Sequence, residues 1–310
     1  MTKSSENIPP FEQIYLLNSE LILHADELSG PVITVGGQAV YYWFIYYLNE
    51  YPENQLPNEV YLYSVDVDYV SKRSNVRAIA KIFNVEAIYN DPLELPSLAI
   101  CSLIDKDTFK IKEFEGRLFT NPDANYTENL IDIIDRPAGF SANDLCGKSL
   151  ELFTEMFWIR SERPEQPPSH PFVRVLNPIS CIRSRLANIL NKVKSNIEVE
   201  VHRIKSLMIP TFYFLLDKLD TEPFKISQAY VKSFAELVWI NDYRRLQIKL
   251  GIPLYKILEQ LQIHLAQNRT DYELPDMFID RELVRLVNDR KAQYLRLQRN
   301  TCKKDLNMNK

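Results

Sequence analysis

The stretch Val60-Tyr61-Leu62-Tyr63-Ser64-Val65-Asp66-Val67-Asp68-Tyr69-Val70 decides how this chain is read. Its residue types predict a strand over 60–70. Side chains two apart on a strand share a face, so Asp66 and Asp68 point one way and Val65, Val67 and Tyr69 the other, into a core. Two anions on one face repel unless a cation sits between them, and a hard divalent ion meets that need. Upstream, Val32-Ile33-Thr34-Val35 reads as a second strand running directly into Gly36-Gly37, with a helix predicted over 38–48. The chain has only seven glycines, so an adjacent pair at a strand-to-helix turn stands out.

A metal site of this kind needs a further carboxylate from a neighbouring strand. Leu130-Ile131-Asp132-Ile133-Ile134-Asp135 supplies one. Asp132, flanked by Ile131 and Ile133, is the expected third member. Asp135 is the alternative, on the opposite face and close to the Pro137 turn. Glycines without Cβ atoms let a backbone approach a phosphate closely, and the N–H groups opening the following helix can donate to its oxygens. Ser64 is a candidate to hydrogen-bond either a phosphate or the turn backbone. The plainer reading makes Asp66 and Asp68 solvated carboxylates on an edge strand. Asp is depleted in strands, however, and two at alternate positions after a Gly-Gly turn call for a reason.

Composition describes an ordinary globular protein: 310 residues, 45% hydrophobic and 25% charged, with a formal charge of −4. The length suits two domains. There is no global basic excess for nucleic acid, so any polyanion site is a local patch. No apolar run is long enough to span a bilayer, and the polar start followed by Pro9-Pro10 lacks a signal-peptide core. Cys101, Cys146, Cys181 and Cys302 are widely spaced and form no CxxC pair, which predicts reduced thiols in a cytoplasmic protein and no zinc site. The four histidines show no metal-ligand spacing.

The predicted organisation is α+β. A helix over 11–28 and one over 74–83 join the strands above, with short strands at 98–103, 109–114 and 117–119 and mixed structure over 143–160. The aromatics Tyr41, Trp43, Phe44, Tyr46 and Tyr47 read as core. Residues 1–160 form the expected mixed-sheet domain, the proline-rich segment 161–171 a linker, and 172–310 an all-helical domain. Helices are predicted there over 179–194, 197–217, 227–249, 252–266 and 280–299, with Gly251 as a helix C-cap. The stretch 285–304, with Arg285, Arg290, Lys291, Arg296, Arg299, Lys303 and Lys304, is basic: a solvated terminal helix in the plain reading, an RNA-contacting one in the other.

At this point the chain resembles the DNA polymerase β-like nucleotidyltransferase superfamily, through Gly36-Gly37, Ser64-Val65-Asp66-Val67-Asp68 and Ile131-Asp132-Ile133-Ile134. The form Gly-Gly-Gln-Ala-Val followed by Ser-x-Asp-x-Asp is similar to AbiEii-type toxin nucleotidyltransferases. The resemblance covers about residues 30–140 and extends weakly to Asn177-Pro178 and the residues after it. It implies two Mg²⁺ ions on Asp66, Asp68 and Asp132, with an NTP as substrate. The Gly36-Gly37 turn would lie on the phosphates. A proline-led helix would present Arg183, Arg185 and Asn188, with Lys192 a turn further on, towards the nucleotide. It implies transfer of an NMP to a hydroxyl of RNA, such as tRNA, or of protein, in a toxin–antitoxin or phage-defence setting with an antitoxin partner. A non-catalytic interaction or antitoxin protein on the same fold, and a small-molecule (antibiotic) nucleotidyltransferase, are the alternatives. The interval from Gly37 to Asp66 exceeds the short spacing usual in the superfamily; the excess lies in the polar loop 49–58, and whether a loop insertion there absorbs it decides whether turn and carboxylates meet at one phosphate.

Overall fold

The computed structural model describes residues 6–91, 96–121, 127–141, 143–159, 168 and 170–308. In chain order the first part comprises α1 (Pro10–Leu23), β1 (Ile33–Thr34), α2 (Gly36–Tyr46), β2 (Val67–Val70), α3 (Val76–Ile82), β3 (Ala87–Tyr89) and β4 (Ser97–Ser102). Short hairpin strands β5 (Glu113–Phe114), β6 (Arg117–Leu118), β7 (Thr120–Asn121) and β8 (Thr127–Glu128) precede β9 (Leu130–Ile134), α4 (Ser149–Phe153), β10 (Thr154–Trp158) and β11 (Phe172–Leu176). Among the described residues, seven strands make one mixed sheet in the order β10-β11-β1-β2-β9-β4-β3. β1 runs parallel to β11 and antiparallel to β2, while β2 and β9 are parallel. The fold is therefore α+β, a mixed sheet with helices followed by a helical region.

One face of the sheet is apolar because its strands alternate. Val67, Tyr69, Ile131 and Ile133 are each fully buried. α1 packs on this side: Pro10 opens it where a missing N–H costs nothing, and Ile14, Leu17 and Leu21 recur along its buried stripe. A buried polar contact fixes the docking. The Tyr69 hydroxyl donates to Asn18 Oδ1 (2.9 Å), and Asn18 Nδ2 donates to Thr34 Oγ1 (3.3 Å). Tyr41, Tyr42, Trp43, Phe44 and Tyr47 are buried, as the core reading required, whereas Tyr46 is exposed.

The expected strand over 60–70 is shorter. Asn58 caps a 3-10 turn at Glu59–Tyr61, accepting from the Val60 N–H (3.1 Å), and the Ser64 hydroxyl donates to the Asp66 carbonyl (3.0 Å). Such local side-chain bonds compete with a strand ladder, so β2 begins only at Val67. The expected domain boundary also moves. Phe172–Leu176 is a sheet strand, not the start of the helical part. The predicted linker 161–171 lies largely outside the described residues. The chain divides into two compact units, 1–43 with 58–181, and 44–57 with 182–310.

The second unit is helical after α5 (Pro178–Leu190), which carries the chain into it: α6 (Ile197–Ser206), α7 (Met208–Thr221), α8 (Phe224–Trp239), α9 (Asn241–Leu250), α10 (Tyr255–Gln267) and α11 (Val284–Met308). Two predicted long helices are each broken once. The 197–217 segment breaks at Leu207, just ahead of Pro210 in the first turn of α7, where proline is tolerated. The 227–249 segment breaks at Ile240, whose φ of −55 and ψ of 125 leave the helix. Gly251 ends α9 in the left-handed conformation (φ 66) as expected. Residues 44–57 have partners of their own in this unit: Tyr47 donates to Asp217 Oδ2 (2.6 Å) and Tyr51 to the Ser206 carbonyl. Among the described residues no helix is long and apolar enough to cross a membrane.

Tyr69→Phe keeps the apolar volume but removes the shorter of two donors to the buried Asn18 Oδ1, leaving it the long bond from the Thr34 hydroxyl (3.5 Å). It should lower stability by about 1–3 kcal/mol, read from the midpoint of urea unfolding at unchanged slope. An unshifted midpoint would show that the Asn18–Tyr69 bond does not hold α1 to the sheet.

Candidate functional site

The register of β2 and β9 builds the site. Asp68 is the direct Cα partner of Asp132 across the parallel pair. Their neighbours Val67, Tyr69, Ile131 and Ile133 are buried on the opposite face, so the two carboxylates stand side by side on adjacent strands. Asp66 lies just before β2 and is exposed; its Oδ1 accepts the Leu130 N–H (3.0 Å), tying the entry of β9 to that of β2.

The glycine turn meets these carboxylates despite the long interval between them. A Cβ built on Gly36 would lie 1.8 Å from Asp68 Oδ2 and 2.7 Å from its Cγ, and Gly36 has φ +68. Both facts demand glycine: no side chain fits, and the left-handed backbone disfavours one. The Val35 N–H donates to the Asp68 carbonyl (3.0 Å), extending the β1–β2 ladder to the turn. Gly36 and Gly37 open α2, and its first intrahelical-type bond is Ala39 N–H to Val35 carbonyl (3.2 Å). The helix start therefore offers N–H groups and the positive end of a dipole beside Asp68.

Three residues that the motif reading missed orient the site. Ser97 Oγ donates to Asp132 Oδ1 (2.7 Å), and Asn90 Nδ2 donates to Ser97 Oγ (2.7 Å). Ser97 opens β4 and Asn90 directly follows β3, and no sequence spacing links them to Asp132. Gln38 donates to the Ser64 carbonyl from the first turn of α2, and its Oε1 is buried without a hydrogen-bond partner. A polar residue directly after Gly-Gly was the available signal. Ser64 itself bonds the turn backbone through Asp66, so of its two expected roles the structure has the local one. Asp135 follows β9; Arg136 donates to its Oδ2 (2.7 Å), and burial raises its carboxyl above the usual range.

The residues expected to reach a nucleotide from the proline-led helix are placed otherwise. Arg185 Nη1 donates to Glu200 Oε1 (3.1 Å) and Asn188 Nδ2 to Glu200 Oε2 (2.9 Å), with Arg185 and Glu200 only 5% and 2% exposed. A buried carboxylate demands such partners, and it corrects the expectation for both side chains. Lys192 is not on the helix: α5 ends at Leu190, and Lys192 has φ 54 in the turn that follows, exposed. Arg183 is half-buried on α5, where its charge acts on the buried Tyr243 hydroxyl.

Three hard carboxylates, two of them adjacent, form a donor set suited to Mg²⁺. Among the described residues no group of three or more His, Cys, Asp or Glu is already gathered around one ion position. Mg²⁺ is held through one or two carboxylates, waters and substrate phosphates, so the Asp68–Asp132 pair fits it. No family model matches the chain, and neither a curated protein nor a solved structure matches it.

Gly36→Ala should displace the Asp68 carboxylate and lower stability by about 1–2 kcal/mol from the left-handed backbone alone, measured by urea unfolding; full retention of wild-type stability would contradict the packing of Asp68 on the turn. Glu200→Ala leaves a guanidinium buried and unpaired, and a loss of about 3–5 kcal/mol is expected. A loss under about 1 kcal/mol would show that Arg185 does not depend on Glu200.

Proposed function

We propose that the chain is a Mg²⁺-dependent nucleotidyltransferase that moves an NMP from an NTP to a hydroxyl of RNA or protein. The observation that carries this reading is the side-by-side pair Asp68–Asp132 with the Gly36 turn packed directly on Asp68. Phosphoryl chemistry of this type needs anionic oxygens to hold a cation and backbone donors to receive phosphate oxygens, and this corner of the sheet has both.

In this mechanism Asp68 and Asp132 would hold the metal, with Asp66 flanking them at the strand entry. Bound Mg²⁺ would supply charge neutralisation for the triphosphate and acidify the acceptor hydroxyl. The N–H groups at Gly36, Gly37 and Gln38 donate to the phosphates beyond the point of attack. Asp132, with one oxygen fixed by Ser97, accepts the proton of the acceptor hydroxyl. The acceptor's oxygen, freed of that proton, forms a bond to the α-phosphorus while the bond from phosphorus to the pyrophosphate bridging oxygen breaks. Pyrophosphate then leaves.

The test incubates the purified chain with Mg²⁺, α-labelled NTPs and either total tRNA or cell extract. Label should pass to an acceptor, and Asp68→Asn and Asp132→Asn should each reduce transfer by at least about 10²-fold. Chelation of Mg²⁺ should abolish it. No transfer to any fraction, or transfer unchanged in both variants, would sink the reading.

A further inference from the structure

The helical unit contains an arginine cluster that the carboxylate site does not use. At the end of α8, the exposed Trp239 indole has two guanidinium groups over its ring, Arg290 at 4.1 Å and Arg244 at 4.9 Å from the centroid. Neither guanidinium has a carboxylate hydrogen-bonded to it among the described residues. Arg290 Nε donates to the Ala235 carbonyl (2.9 Å); Arg244 donates to Asn241 Oδ1 (3.2 Å) and to Gln293 Oε1. Arg244 Nε is buried without a partner. Two like charges on one ring repel, and neutral acceptors orient them without cancelling the charge. Burial holds the Arg290 guanidinium below its ordinary value; Arg244 pushes the same way, and Asp289 and Glu236 act against both.

A cavity of about 190 Å³ opens beside the ring, lined by Trp239, Asp289, Ala292, Gln293 and Arg296. Positions 285, 296 and 299 fall on one stripe of a helix, because eleven and fourteen residues are both close to whole numbers of turns. Arg285, Arg296 and Arg299 are exposed on that stripe and form no ion pair or hydrogen bond among the described residues; Asp289 is the acidic residue between them. At 1.5 Å per residue they span about 21 Å, too far for one phosphate and suited to a chain of them.

We propose that this α11 face and the Trp239 arginine cluster bind the backbone of single-stranded RNA, with the Arg244–Arg290 pair receiving phosphate and the cavity beside Trp239 receiving a base. Planar guanidinium and indole surfaces favour flat bases in addition to phosphate charge. An acidic peptide would offer only the charge. The inference deepens the reading of an RNA acceptor above but stands on other residues.

The experiment is fluorescence anisotropy of a 5′-labelled twelve-nucleotide single-stranded RNA without NTP or Mg²⁺, between 50 and 200 mM KCl. Because no catalysis is involved, its failure leaves the carboxylate site untouched, and failure of nucleotide transfer leaves this binding untouched. Saturable binding is expected. Arg296→Ala and Arg299→Ala, which remove side chains with no partner among the described residues, should each weaken binding about 5-fold or more and lower the salt slope by about 0.7 per phosphate contact removed. Arg244→Gln should weaken it comparably, with unfolding curves confirming intact folding of each variant. Absence of saturable binding, wild-type affinity in all three variants, or equally tight binding of a poly-glutamate peptide of the same charge would overturn the proposal.

Discussion

The parallel register of β2 on β9 is the constraint on which the rest of the site depends. It places two carboxylates on neighbouring strands, where an effective dielectric of about 20 gives a repulsion of about 3 kcal/mol at roughly 5 Å. That repulsion is tolerated because slipping one strand by a single residue would turn either Val67 and Tyr69 or Ile131 and Ile133 out of the core, and Asp68 or Asp132 respectively into it. Hydrophobic burial on one face thus holds an electrostatic strain on the other.

Gly36 adds a second constraint that works by exclusion. The carboxylate of Asp68 occupies the volume that any Cβ at position 36 would take. The turn therefore reaches the carboxylate edge as bare backbone, which is the form in which N–H groups approach a phosphate most closely. Ser97 from β4, held by Asn90 just past β3, acts on the neighbouring Asp132, so each member of the pair is positioned from a different side: one by a glycine turn, the other by a hydroxyl relay. Tyr69 anchors the same strand to α1 from beneath through Asn18.

Much of this was legible in the sequence where the physics is local. Alternation in 130–134 identified β9, and the carboxylates of Asp68 and Asp132 followed from parity alone. The strand over 60–66 was misjudged because β-rich residue types say nothing of the Asn58 and Ser64 side chains that hold a turn there. β11 was missed because Phe172–Leu176 follows a proline-rich stretch and pairs with β1, more than a hundred residues away. Arg185 and Asn188 had the right spacing for one helix stripe, but their partner Glu200 lies on the next helix, and no periodicity within α5 indicates it. Ser97 was invisible for the same reason: its importance lies wholly in a strand pairing.

The long interval between Gly37 and Asp66 shows why motif spacing is a poor measure of proximity. Closing a flexible loop of twice the length costs only about 0.6 kcal/mol more. The intervening segment is, moreover, ordered by its own contacts: Phe44 packs edge-on against Tyr51 at 5.4 Å, and Tyr47 and Tyr51 donate to acceptors in α7 and α6. Those contacts offset the entropy of the added residues within the helical unit. The meeting of turn and carboxylate is decided elsewhere, by the Val35 N–H on the Asp68 carbonyl and by the missing Cβ of Gly36. Two strands paired in register bring the turn and the carboxylate together whatever the chain does between them, so residues 44–57 are free to pack within the second unit without loosening the first.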